Sequence, residues 1–231
     1  SLHDIIKVSM TELREEIVKK AFLQFLNRGY KACSLKTLEQ ATGLTKGAFY
    51  YYFKDKKEIL EAGMERYFSV MKEESEEDVE RVTSLREYID LVIKNKEASA
   101  DASQRIFGCF ILEVLFFQLV LEVAPIFPDF RERIYTISKK RLANWEHIIL
   151  RAKQSGEIRG TLDTSVLARN LMSVSSSMLN IELERANFQY MFSDTRMQFE
   201  QYYMLIKKRA ERETRLSRLL SCCFWKRDSR R

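Results

Sequence analysis

Gly43-Leu44-Thr45-Lys46-Gly47-Ala48-Phe49-Tyr50-Tyr51-Tyr52-Phe53 is the most informative run in the sequence. It reads as a tight turn feeding a short helix. Phe49 and Phe53 are four residues apart, so both fall on one helical face and can be buried together. The opposite surface then carries Thr45, Lys46, Gly47 and Ala48, flanked by Tyr50, Tyr51 and Tyr52. Small residues beside one lysine and three phenolic hydroxyls suit close approach to a polyanion. The run holds no general base, nucleophile or metal-ligating cluster. It therefore predicts a DNA-recognition helix and argues against an enzyme site.

The residues on either side give this helix its setting. Ser34 can cap a helix with Leu35, Leu38 and Ala41 on its apolar face. Gly43 ends it, because a tight turn between helices calls for a residue tolerant of positive φ. Thr45 caps the next helix, whose first turn (Lys46, Gly47, Ala48) has no bulky side chain to hold the backbone off a groove. Upstream, Ser9 and Glu12 have capping-box spacing, and Leu13, Ile17, Ala21 and Phe25 form an apolar stripe. That predicts a first helix over about residues 10–28. Three helices, the last two short and joined by a glycine turn, make a helix-turn-helix.

Downstream, Asp55 and Glu58 predict another capped start, for a fourth helix over about residues 56–72. Lys54, Lys56 and Lys57 crowd its N-terminus, where cations oppose the helix dipole by about 0.3–1 kcal/mol. A phosphate bound there would resolve the conflict. A solvated charged turn accounts for the same three residues.

The pattern Ser34-Leu35-x-x-Leu38-x-x-Ala41-x-Gly43-Leu44-Thr45-Lys46-Gly47-Ala48-Phe49-Tyr50-x-Tyr52-Phe53-x-x-Lys56-x-x-Ile59-Leu60 resembles the N-terminal signature of tetracycline-repressor (TetR) family regulators. The resemblance implies a dimeric, all-helical repressor whose C-terminal domain binds a small ligand and then releases DNA. It places Lys46 and Gly47 at positions that commonly face base edges, and Tyr50 where the family's tyrosine meets phosphate or a neighbouring base. Thr45, Tyr51, Tyr52 and Lys56 fall at backbone-contact positions, and Ser34 and Lys36 match contacts from the second helix. Two positions depart from the family. Ala48 stands where Thr is frequent, so it can meet a thymine methyl but lacks a hydroxyl. Tyr52 stands where His is frequent and still offers a donor. With Lys54 and Lys57, these residues form the candidate DNA-binding set.

Composition supports the same direction. Seven glycines and two prolines in 231 residues are few for strands and turns, and strong helix formers dominate, which predicts an all-α fold. Net charge is +6, unevenly spread: residues 1–60 hold eleven Lys/Arg against seven Asp/Glu, and residues 207–231 ten against three, which leaves 61–206 at −5. Basic ends and an acidic middle suit a polyanion partner for a terminal module. Cys33, Cys109, Cys222 and Cys223 lack metal-ligand spacing, and with two histidines in the chain neither a metal nor a cofactor is expected. The N-terminal residues lack a basic-then-apolar leader pattern, so a reduced, cytoplasmic protein is expected.

The rest of the chain reads as a helical second domain, for about nine helices in all. The acidic run from Glu73 to Glu80 reads as a solvated face or loop between modules. A fifth helix is predicted from Leu85 to Ile93, followed by a polar stretch to about Gln104. The apolar segment 106–124 approaches membrane-spanning length, but Glu113, Gln118 and Glu122 make it a buried core helix instead of a span. Pro128 can open a long helix ending near Gly156, and Asp163 caps the next. The helices over about 163–182 and 194–209 match, by the resemblance, the pair that forms a four-helix dimer bundle.

These readings divide the chain into a DNA-binding domain at 1–56, a ligand-binding and dimerisation domain at 57–209 and a basic tail at 210–231. Helix four links the first two. Phe107, Phe110, Phe117, Trp145 and Met178 could line an apolar effector cavity, with Glu113 as its one ionisable group; ordinary core packing explains the same residues. The expected function is a regulator, most simply a repressor, that binds a palindromic double-stranded operator as a homodimer and is released by a small, largely apolar molecule. An architectural or protein-interacting helix-turn-helix without ligand control is the alternative.

Overall fold

The computed structural model describes residues 2–109, 113–176 and 188–208. Among them are ten helices: α1 (Leu2–Arg28), α2 (Leu35–Thr42), α3 (Lys46–Tyr52), α4 (Lys56–Val70), α5 (Glu76–Arg81), α6 (Leu85–Phe107), α7 (Glu113–Val123), α8 (Pro128–Gln154), α9 (Thr164–Ser175) and α10 (Phe188–Ile206). The start signals act where the sequence puts them. Side chains of Ser34, Thr45, Asp55 and Asp163 each accept from the backbone N–H three residues on. Pro128 opens α8, where its missing N–H costs nothing.

Several boundaries differ from the sequence reading, each for a local reason. α1 begins at Leu2, so Ser9 lies within a helix and does not cap one; residues 2–8 hold no Gly or Pro to stop it. The acidic run is partly helical: Ser75 and Asp78 form a reciprocal capping box, and acidic residues in a first turn complement the dipole, giving α5. α6 does not stop near Ile93 but continues through the polar stretch, because Ala100, Ala102 and Ser103 bury a small-residue face. Gly108 ends α6, so Ile106 and Phe107, expected in the apolar 106–124 helix, belong to α6. α9 ends at Ser175, and α10 starts earlier than predicted, at Phe188.

The apolar side chains fall into two cores. The first joins Ile17, Phe22 and Phe25 of α1, Leu38, Phe49 and Phe53 of the α2–α3 unit, and Leu60, Met64 and Tyr67 of α4. It also takes in Phe107, Phe116, Val120, Val123, Phe127 and Phe130, so α7 and the start of α8 pack into the same core as the helix-turn-helix. Tyr67 stacks on Phe116 with ring centroids 4.0 Å apart, and Phe22 meets Phe107 at 5.7 Å. Each fully buried aromatic here contributes about 1.5–3 kcal/mol. The second core joins Val79, Leu85, Tyr88, Ile89, Trp145, Ile149, Leu167, Leu171, Phe199 and Ile206 from α5, α6, α8, α9 and α10. Two long helices, α6 and α8, pass from one core into the other.

A carboxylate ties the second core's ends together. Glu157 accepts from the first two backbone amides of α6, Leu85 at 2.9 Å and Arg86 at 3.2 Å, and from the Tyr203 hydroxyl at 3.1 Å. Backbone bonds from Arg159 to Ile206 and from Lys208 to Glu157 close the α8–α9 loop onto the end of α10. No helix among the described residues is long and apolar enough to cross a membrane.

Candidate nucleic-acid interface

The α2–turn–α3 unit is held from behind and open in front. Leu38, Phe49 and Phe53 are buried against α1 and α4. Gly43 caps α2 at φ 76°, a conformation a side-chain-bearing residue would adopt only with strain, and its N–H returns to Glu39 O at 2.8 Å. Ser34 Oγ takes the Thr37 N–H at 3.1 Å, and Thr45 Oγ1 takes the Ala48 N–H at 3.4 Å. These caps fix where each short helix begins.

In front, Ser34, Lys36, Thr45, Lys46, Gly47, Tyr50 and Tyr51 are exposed, and Ala48 is half-buried. Tyr51 leaves 67% of its surface open and Tyr50 54%. Two large exposed rings beside two lysines on one short segment leave apolar and cationic surface together, an unusual surface to leave bare. Tyr52 is partly buried against the first core, its ring edge-on to Tyr51 at 5.0 Å.

The three lysines around the start of α4 do not act alike. Lys54 is exposed, and its N–H donates to Glu58 Oε2 at 2.8 Å. Lys57 is exposed but leans on Glu61 at 3.8 Å and over the Phe127 ring at 5.0 Å. Lys56 turns inward. Its Nζ donates to Tyr30 O at 2.7 Å and Cys33 O at 3.0 Å, so it is not presented to a phosphate as the sequence reading had it. The reason is that α1 ends at Arg28, leaving carbonyls of the next loop pointing at α4. Asp55 and Glu58 already supply negative charge at the α4 N-terminus, so the dipole conflict expected from three lysines is met internally. Burial lowers the Lys56 pKa below the ordinary lysine value, partly offset by Cys33 and Glu122 nearby.

Of the residues proposed for an effector cavity, the described ones are not brought together. Phe107 is buried in the first core and Trp145 in the second, where it packs edge-on to Tyr88 at 4.7 Å. Phe117 is exposed. Phe110, Met178 and the Glu113 side chain lie outside the described residues, as does the basic tail beyond Lys208. Arg141, on α8, stands 3.7 Å from Glu73. A cleft of about 310 Å³ lies elsewhere, between α4 and the start of α8, lined by Glu61, Glu65, Phe127, Asp129, Phe130 and Arg133. Arg133 fills part of it, bonded to both oxygens of Glu65 at 2.7 and 2.9 Å and lying over Phe68.

A capped helix-turn-helix with an open cationic and phenolic face, set on a helical body, defines a DNA-binding regulator. Residues 17–62 match the family described as bacterial regulatory proteins, tetR family. Over 184 residues the chain is 23% identical to the HTH-type transcriptional repressor DhaR of Mycobacterium sp. (strain GP1), covering 77% of this chain and 86% of that one. It is 26% identical over 157 residues to the fatty acid metabolism regulator protein of Bacillus subtilis (strain 168), covering 68% and 76%. The fold is shared with the ketosteroid transcriptional regulator KstR2 of Mycobacterium tuberculosis at a TM-score of 0.60 and 18% identity, over 85% of this chain and 95% of that one. Residues 17–62 are thus similar to the DNA-binding region of tetR-family regulatory proteins, and the described chain shares the fold of such a regulator.

Proposed function

We propose that this chain is a ligand-responsive repressor that binds a palindromic operator as a homodimer and lets go when a small, largely apolar molecule occupies its second domain. The observation that carries this reading is the exposed set Ser34, Lys36, Thr45, Lys46, Gly47, Tyr50 and Tyr51, presented on a backbone fixed by three caps. Lys46 and Gly47 face base edges, Tyr50 and Tyr51 meet phosphate or sugar, and Lys36 and Lys54 add charge along the backbone. Lys56 positions this face from behind.

Dimerisation through α9 and α10 is supported by apolar surface left bare on them. Met197, Met204 and Leu205 recur at seven- and eight-residue spacing on α10, and Leu205 is 69% exposed; Val166 of α9 is exposed too. An apolar effector is supported by the aromatic content around α6 and α7, and by the relative named for fatty acid metabolism. Such a protein works where the chromosome is, in the cytoplasm.

The test is a gel shift with duplexes drawn from the DNA upstream of the protein's own gene. Specific binding should fall steeply with salt, because several phosphates are contacted. Equal competition by specific and unrelated duplexes would sink the reading.

A further inference from the structure

Glu122, the penultimate residue of α7, reaches across to the loop that follows α1. Its Oε2 accepts the Tyr30 N–H at 2.8 Å and its Oε1 accepts the Lys31 N–H at 2.7 Å. Gly29 makes room for this: a Cβ there would stand 2.8 Å from Oε2, and its φ of +83° is strained for any other residue. The far side of the same loop is held by Lys56, at the first position of α4, through the carbonyls of Tyr30 and Cys33. The loop then runs directly into Ser34, the cap of α2. A continuous set of directional bonds thus leads from α7 to the front of the helix-turn-helix.

Stability alone does not account for this carboxylate. It sits at the C-terminal end of its own helix and just beyond that of α1, where two helix dipoles both disfavour negative charge. The apolar packing of Phe116, Val120 and Val123 already holds α7 in the first core, and such packing is non-directional. Two charge-assisted bonds to adjacent amides add direction: they fix the loop's height and rotation relative to α7.

We propose that Glu122 is a positioning residue for DNA binding, clamping the α1–α2 loop so that the setting of α2 and α3 follows the C-terminal end of α7. The proposal rests on the DNA-binding reading above. It also says how an event in the second domain reaches the DNA face: whatever shifts α7 loosens or moves the clamp.

The test uses the full chain and a duplex enriched from a random pool by the wild-type protein, with affinity read by fluorescence anisotropy across a salt series. Glu122→Ala should weaken binding roughly tenfold or more. The slope of log affinity against log salt should stay as in wild type, because the clamp changes how often the competent arrangement is populated and removes no phosphate contact. Amide exchange at Tyr30 and Lys31 should speed up in parallel. Glu122→Gln keeps the packing and one acceptor oxygen, so it should lose affinity by an intermediate factor; it decides the matter if the alanine variant folds poorly. Combined with Lys56→Met, the losses should be smaller than the product of the single losses, since both act on one loop. Binding by both Glu122 variants within about twofold of wild type, or a changed salt slope, would overturn the proposal. A wild-type chain that enriches no duplex would refute the DNA-binding reading itself.

Discussion

The ammonium of Lys56 donates to the carbonyl of Tyr30 at 2.7 Å while standing 4.1 Å from the centroid of the same residue's ring. One residue thus offers the cation both a lone pair and a π face, and Cys33 supplies a second carbonyl. Lys56→Met should cost about 1–2 kcal/mol of stability, since it removes two bonds to a charged donor and leaves both carbonyls less well satisfied. Urea titration should show a lower midpoint with an unchanged slope. No loss would mean that the inward lysine contributes nothing to the fold.

Lys46 opens α3 on its exposed side, where the proposed DNA contact falls. Lys46→Ala should lower discrimination at one operator position by about 1–3 kcal/mol while leaving affinity for unrelated DNA nearly intact. Affinity across a panel of single-base operator variants measures this. A uniform drop over the whole panel would place the lysine on phosphate.

Tyr50 offers a hydroxyl on the same face. Tyr50→Phe should weaken all duplexes to a similar degree if that hydroxyl meets phosphate. Competition assays with matched and mismatched operators are the measurement, and a shifted base preference would move Tyr50 to a base edge.

Gly63 lets α4 lie directly on α1. A Cβ at this position would come 2.5 Å from Phe22 Cδ2, and Phe22 is fully buried. Gly63→Ala should therefore destabilise by about 1–3 kcal/mol despite the better helix propensity of alanine. Calorimetry should show a lower Tm; a rise would mean that the Phe22 ring yields without cost.

Leu205 is exposed on α10 in line with Met197 and Met204. With the proposed α9–α10 dimer interface, wild type should sediment as a dimer and Leu205→Glu as a monomer in sedimentation velocity. Operator affinity should fall by roughly a hundredfold or more, because the two half-sites are no longer engaged together. An unchanged sedimentation coefficient would exclude this face from the interface.

What was legible in the sequence was local. Ser34, Gly43, Thr45, Asp55, Pro128 and Asp163 mark helix ends because each acts on amides within a few residues. The exposed face of α3 followed, since Phe49 and Phe53 have one way to be buried. The length of α6 was hidden because its second half buries small residues, Ala100, Ala102 and Ser103, which leave little trace in an apolar pattern. The inward turn of Lys56 was hidden for another reason. It depends on carbonyls 23 and 26 residues away, exposed to it by where α1 happens to end. Glu122 is more distant still, 92 residues from Tyr30. Aromatic content did not tell Phe107 from Trp145, which belong to separate cores.

The sharing of the first core has an implication for modularity. Phe22, Phe25 and Tyr30 are covered in part by Phe107, Phe116 and Phe127, which come from beyond residue 100. A segment cut after α4 would bare that aromatic seam to water. Grafting residues 1–56 onto a foreign body would require the recipient to carry an equivalent of the α7 face, with its carboxylate at the Glu122 position. This DNA reader is not an interchangeable cartridge, and chimeras that swap it should be joined along the seam and not at the α4 boundary.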